Sequence, residues 1–199
     1  PKEDLEKSID FKLNINNILV TFHPVTLEKN TSKRQFSEIL DSINDLKDTN
    51  IIFTKTNSDT DGRIINLMID EYVNKNQEKS LAITSMGQIN FLSALQYMDF
   101  IIRNSSSGLL EAPSLKIGTI NIGDRQKGRI KARSIIDCSP NKKNIKDAIK
   151  KVYSNEFQNI LKDVKSPYGN ECPSQKIVKI LNSVAIDDLL KKSFFNVKF

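Results

Sequence analysis

The sequence predicts a Rossmann-like α/β fold, an open parallel sheet with helices on both faces. Short β-branched apolar runs alternate with longer stretches of helical periodicity. The runs have no polar alternation, as expected of strands buried on both faces. A length of 199 residues suits one α/β domain with an appended segment better than two complete domains. Alternation at this spacing implies right-handed βαβ units. Ligands of such sheets sit beyond the carboxyl ends of the strands, so the residues just after each strand carry the functional information.

The first strand is INNILVTF (15–22), which His23-Pro24 interrupts. Residues 32–46 set Phe36, Ile39, Leu40 and Ile43 at helical spacing among charged residues, the pattern of an amphipathic helix. NIIFTKTN (50–57) reads as strand, 63–74 as helix, SLAITSM (80–86) as strand and 89–98 as helix. DFIIRN (99–104) is the next strand, followed by a short helix over 109–115 and the strand GTINIG (118–123). SIIDC (134–138) and a helix over 142–153 close the alternation. KSPYGNECPS then reads as a linker by its Pro, Gly, Ser and Asn content, ahead of a helix over 174–184, a last helix and the apolar tail FFNVKF. The expected division is a nucleotide-binding domain over 1–165 and a linker with C-terminal helices over 166–199.

Composition narrows the function classes. Hydrophobic residues at 38% and charged residues at 27% are ordinary for a folded globular chain. No apolar run approaches the roughly 20 residues that span a bilayer, and the acidic start Pro1-Lys2-Glu3-Asp4 is unlike a signal peptide; no membrane partner is expected. Cys138 and Cys172 form neither a metal spacing nor a disulfide framework, which fits plain thiols in a reducing cytoplasm. A net charge of +6 favours anionic ligands without choosing between nucleic acid and a small phosphorylated molecule.

The strand ends supply the candidates. Asn104-Ser105-Ser106-Ser107-Gly108 follows a strand and opens a helix, where N–H groups and hydroxyls suit a phosphate or simply cap the helix. Glu111, further along that helix, faces either sugar hydroxyls or solvent. His23, the sole histidine, points into the ligand crevice or rests hydrogen-bonded at a core edge. Asn57 ends the second strand as a ligand contact or a turn residue. Asn57-x-Asp59-x-Asp61-Gly62 imitates a calcium loop, but Met68 stands where the bidentate glutamate belongs, so no metal is expected. DRQKGRIKAR (124–133) is a solvated basic edge or an anion site. It has no aromatic stacking platform or helix-turn-helix beside it, so nucleic acid is not expected. Gly123 and Gly128 would allow close approach to a pyrophosphate, and Arg125 is the expected oxyanion contact.

Taken together, Thr-Phe-His-Pro-Val-Thr-Leu-Glu (21–28), Asn-Ser-Ser-Ser-Gly-Leu-Leu-Glu-Ala-Pro (104–113), Thr-Ile-Asn-Ile-Gly-Asp-Arg-Gln-Lys-Gly-Arg (119–129) and Ser-Pro-Tyr-Gly-Asn (166–170) resemble the hydrolysing UDP-N-acetylglucosamine 2-epimerases of sialic and related nonulosonic acid pathways. The resemblance runs over about residues 1–184. It implies the second half of a two-domain glycosyltransferase-B-type enzyme, with the active site between this domain and a first Rossmann-like domain of the same polypeptide. The implied reaction eliminates UDP from UDP-N-acetylglucosamine and adds water to the 2-acetamidoglucal to give N-acetylmannosamine. No cofactor or metal is implied, and the acidic catalytic residues belong to the first domain. A cytoplasmic homo-oligomer is expected for the full-length protein. By the same resemblance His23 is catalytic, facing the reacting sugar and its phosphate; Ser105, Ser106 and Arg125 hold the diphosphate; Glu111 binds the ribose; and Asn57 with the backbone at Met86 completes the UDP pocket.

Four residues depart from the family pattern. Arg103 stands where glycine usually precedes Asn-Ser-Ser, Lys116 and Gly118 replace the glycine and proline of Gly-x-Pro-Thr, and Glu171 replaces a glycine after Tyr168-Gly169-Asn170. Bulky replacements at such positions narrow a cleft or change its ligand preference. Two other readings remain open: a glycosyltransferase of the same architecture, and a nucleotide-sugar-binding module without turnover.

Overall fold

The computed structural model describes residues 1–25, 28, 31–57, 61–169 and 173–184. Asp59 of the calcium-like loop, Asn170, Glu171, Cys172 and the FFNVKF tail lie outside the described residues. The chain divides into two compact units, Pro1–Tyr168 and Gly169–Phe199.

The first unit holds a six-stranded sheet of β1 (Asn16–Thr21), β2 (Thr49–Thr54), β3 (Ser80–Ile83), β4 (Phe100–Arg103), β5 (Gly118–Ile122) and β6 (Ile135–Cys138). All neighbours pair in parallel, in the order β3-β2-β1-β4-β5-β6. Parallel pairing requires crossovers, which α2 (Ser32–Ile43), α3 (Gly62–Lys75), α4 (Gly87–Leu95) and the single turn α5 (Ser107–Leu110) with a 3-10 turn at Ala112–Leu115 supply. The order reverses direction between β1 and β4. Chain leaving β1 and chain leaving β4 diverge to opposite sides, and a crevice opens at their carboxyl ends.

Register decides which residues fill each face. Ile18 stands opposite Ile51 and Phe100, and Val20 opposite Phe53 and Ile102. These alternate residues point together into one core, closed by Phe36, Ile39 and Ile43 of α2 and by Ile145, Ile149 and Val152 of α6 (Lys142–Val152). The intervening Leu19, Ile52 and Ile101 face the other core, with Leu5 of α1 (Lys2–Ile9) and Ala94 and Leu95 of α4. A file of rings, Phe22, Phe36, Phe53 and Tyr72, runs through the first core at centroid spacings of 5.9, 6.5 and 5.4 Å, within the range of favourable aromatic pairing. Cys138 is a buried free thiol, pushed up to about 11 by burial and, after that, by the charge of Asp147.

Two helices appear that are not among the elements expected from the sequence. α1 is one, and α7 (Asn155–Asp163) is the other. α7 buries only Phe157 and Leu161, and Ser154 caps it by accepting from the Phe157 N–H at 3.3 Å. Its Phe157 explains Gly118: a Cβ there would stand 3.0 Å from the Phe157 ring. Lys116 has φ of 60°, the left-handed conformation that glycine takes without penalty, and its Nζ donates to the Lys162 carbonyl at 2.7 Å. The departures at 116 and 118 are thus one packing arrangement of the chain entering β5 against α7.

The described part of the second unit is α8 (Pro173–Ser183), none of whose residues is buried; Ile177, Val178, Ile180 and Leu181 are all more than half exposed. Among the described residues no helix is long and apolar enough to cross a membrane.

The crevice is held by one side chain. Asn104, fully buried just after β4, accepts from the His23 N–H at 2.9 Å and donates to the His23 carbonyl at 2.7 Å, joining the chain after β1 to the chain after β4. Asn104→Ala is expected to destabilise the protein by about 1–3 kcal/mol, the cost of leaving such groups unpaired. Urea unfolding of the two proteins measures this. A variant as stable as the parent would remove Asn104 from that role.

Candidate nucleotide site at the carboxyl edge of the sheet

Three strand ends meet around Asn104. Its backbone carbonyl accepts from Arg125 Nη1 at 3.2 Å and from Gln126 Nε2 at 3.0 Å, so the loop after β5 is tied to the same residue that joins β1 and β4. Gly123, with φ of 71°, turns the chain out of β5, and Gly128, with φ of 80°, turns it again. A Cβ at either would meet nothing within 4 Å. Their positive φ sets the path of the loop, and the open space beside each leaves room for the close approach of a ligand expected from the sequence.

His23 Nδ1 lies 2.8 Å from Thr56 Oγ1, and Thr56 Oγ1 donates to Asn57 Oδ1 at 3.2 Å. The threonine after β2 thus orients the histidine after β1.

Two cavities adjoin at His23, which lines both. The first, of about 430 Å³, is bounded by Asn57, Ser105, Ser106, Arg125, Gln126 and Arg129. Among the described residues no carboxylate lines it, and its two guanidinium groups make it a site for an anion. The helix beside it is shorter than the sequence suggests. α5 is one turn of four residues, and its cap residue Ser106 makes no side-chain capping bond. A single turn sums few peptide dipoles, so anion affinity here rests on the arginines and hydroxyls. Ser106 is not spent on capping, and the Ser105 hydroxyl receives Arg103 Nε at 2.9 Å and Nη2 at 2.5 Å while lying 3.2 Å from Ser107 Oγ.

The second cavity, of about 440 Å³, includes Met86, Phe91, Arg103, Ser107 and Glu111 in its walls. Arg103 is only 5% exposed. Its guanidinium carbon lies 5.2 Å from the centre of the Phe91 ring, within cation–π range. Gly108 makes room for its stem, since a Cβ there would come within 2.8 Å of Arg103 Cδ. Burial lowers the Arg103 pKa to about 10, opposed by the charge of Glu111, so the group stays protonated at neutral pH.

The structure brings His23, Asn57, Ser105, Ser106 and Arg125 to the first cavity and His23, Met86 and Glu111 to the second. Sequence reasoning missed Thr56, Phe91 and Gln126. Thr56 and Phe91 carry no motif; Gln126, 3% exposed, hides inside a basic run that reads as a solvated edge.

Comparison with known proteins gives the fold and the family. The chain is 38% identical over 197 residues to the GDP/UDP-N,N'-diacetylbacillosamine 2-epimerase (hydrolyzing) of Campylobacter jejuni, covering 98% of this chain and 51% of that protein. The UDP-N-acetylglucosamine 2-epimerase of Methanocaldococcus jannaschii, solved with UDP-GlcNAc and UDP, superimposes with a TM-score of 0.69 at 21% identity, over 90% of this chain and 48% of that one. The C-terminal domain of a glycosyl transferase group 1 family protein from Francisella tularensis gives a TM-score of 0.55 at 9% identity, over 82% of this chain and 88% of that domain. The last two likenesses are of fold, and the fold is that of one half of the glycosyltransferase-B arrangement. The chain spans about half the length of the 2-epimerases it matches. With a match to the UDP-N-acetylglucosamine 2-epimerase family over residues 2–182, the chain belongs to that family.

Proposed function

We propose that this chain is the nucleotide-binding half of a hydrolysing 2-epimerase that acts on a nucleoside-diphosphate-linked 2-acetamido sugar, with UDP-N-acetylglucosamine or its N,N'-diacetylbacillosamine counterpart as substrate. The observation that carries this reading is the pair of adjoining cavities at the β1/β4 reversal, one cationic and one lined by Phe91, Arg103 and Glu111, with His23 between them. A diphosphate lies in the first cavity on Arg125, Ser105 and Ser106. The nucleoside occupies the second, its ribose diol donating to Glu111, with Asn57 and the backbone at Met86 completing the pocket.

In the reaction the C2 proton and the nucleoside diphosphate leave, producing a 2-acetamidoglucal. Water then adds across the double bond to give the free sugar with C2 inverted, N-acetylmannosamine from UDP-N-acetylglucosamine. Arg125 and the two serines stabilise charge gathering on the departing phosphate oxygen. His23, oriented by Thr56 through Nδ1, faces the sugar and its phosphate. Elimination also needs a second acid–base group held at the same time. In this chain Glu111 is engaged by the ribose and Asp124 stands beside Arg125, so that group comes from a first Rossmann-like domain of the same polypeptide. The nucleotide domain runs over 1–165, and residues 166–199 lead toward that partner domain. The full-length protein works in the cytoplasm as a homo-oligomer.

Two outcomes are expected. Arg125→Ala weakens UDP binding about ten-fold or more, as loss of a charge-assisted contact of roughly 1.5–3 kcal/mol requires; equal calorimetric affinities would take Arg125 out of the site. The intact polypeptide releases UDP and a C2-inverted free sugar without any acceptor, whereas the 199-residue chain alone binds UDP and does not turn over. Sugar transfer only in the presence of an acceptor would favour a glycosyltransferase. Turnover by the chain alone at the intact rate would place the missing acid or base within it.

A further inference from the structure

Arg103 presents an unusual balance of donors. Its Nε and Nη2 both donate to Ser105 Oγ, while the buried Nη1 has no partner. Glu111 Oε2 is likewise buried without a partner. Both residues line the second cavity and attract each other electrostatically, yet no ion pair joins them among the described residues. Nη1 and Oε2 are buried in the wall of that cavity; an unpaired buried donor and acceptor are costly, and folded proteins leave few of them unless a ligand, met by a small side-chain shift, completes the set. A ligand that satisfies both must show an acceptor to Arg103 and donors to Glu111. A bare phosphate does not, because the carboxylate repels it. A nucleoside does: its ribose hydroxyls donate to Glu111, and a base carbonyl accepts from Arg103.

The arginine is also fixed in place. The Phe91 ring lies against the guanidinium, and the two bonds to Ser105 hold its plane. A guanidinium only donates. A base amino group turned toward Nη1 would leave two donors face to face, a mismatch that discriminates strongly in a desolvated pocket. Resting on the nucleotide-site reading above, we propose that Arg103 is a specificity-determining residue that reads the base, accepting those with a carbonyl at the position where cytosine and adenine carry an amino group. Uracil and guanine satisfy it.

Calorimetry of the intact polypeptide with UDP, CDP, GDP and ADP tests this. UDP is expected to bind about ten-fold or more tighter than CDP, and GDP similarly tighter than ADP, in line with loss of one charge-assisted bond. Arg103→Met should collapse both ratios toward one, and Arg103→Lys should retain part of each. Equal binding of all four by the parent protein would overturn the proposal without recourse to a variant. So would a parallel weakening in Arg103→Met that preserves the ratios, since that assigns Arg103 to structure alone. Absence of binding by any of the four would overturn the nucleotide-site reading itself, and this inference with it.

Discussion

The architecture of the site depends on the two hydrogen bonds between the Asn104 side chain and the backbone of His23. They close the gap that the strand order opens between β1 and β4, where no ladder continues beyond Thr21 and Arg103. Because a carboxamide offers one acceptor and one donor side by side, it replaces the two bonds a further ladder step would supply. It does so without filling the crevice. The same residue's carbonyl receives Arg125 and Gln126, so the position of the cationic loop follows from the position of Asn104. A histidine, a serine-rich turn and an arginine from three distant stretches of sequence are thereby fixed at one sheet edge.

From that geometry follows a division of labour. The cationic cavity suits a diphosphate, since its arginines and hydroxyls face no carboxylate among the described residues. The wall of the neighbouring cavity holds both an unpaired buried donor and an unpaired buried acceptor, which suits a neutral, hydrogen-bonding nucleoside better than an ion. The departures from the family pattern divide in the same way. Lys116 and Gly118 belong to the packing of β5 against α7, remote in purpose from the ligand. Arg103 changes the chemistry of the crevice, and Gly108 gives it the space.

The sheet was legible because its strands are apolar on both faces and its long helices carry strong periodicity; every strand expected from the sequence is present within a few residues. α1 was not legible, since it buries only Leu5; α7 sets Phe157, Ile160 and Leu161 at helical spacing, a signal that was present in the sequence and passed over beyond the last expected strand. The helix expected over 109–115 is instead a single α turn and a 3-10 turn, which pattern reading cannot separate from one short helix. In the site, residues at strand ends were visible because topology alone directs them to the crevice. Thr56, Phe91 and Gln126 were not, because their roles arise from contacts across elements: a hydroxyl under a histidine ring, a phenyl face under a guanidinium, a carboxamide on a distant carbonyl. The glycines of the basic loop were visible as glycines, but their positive φ was not, since positive φ and close approach demand the same residue.

The central claim is that a nucleoside diphosphate occupies the crevice at the β1/β4 reversal. Hydrogen–deuterium exchange of the intact polypeptide with and without UDP tests it most directly. Added protection is expected in peptides holding His23, in those spanning Asn104 to Glu111, and in those spanning Asp124 to Arg129, with little change at the opposite sheet edge around Asn17 and Asp99. Protection confined to that opposite edge, or to none of these three segments, would contradict it.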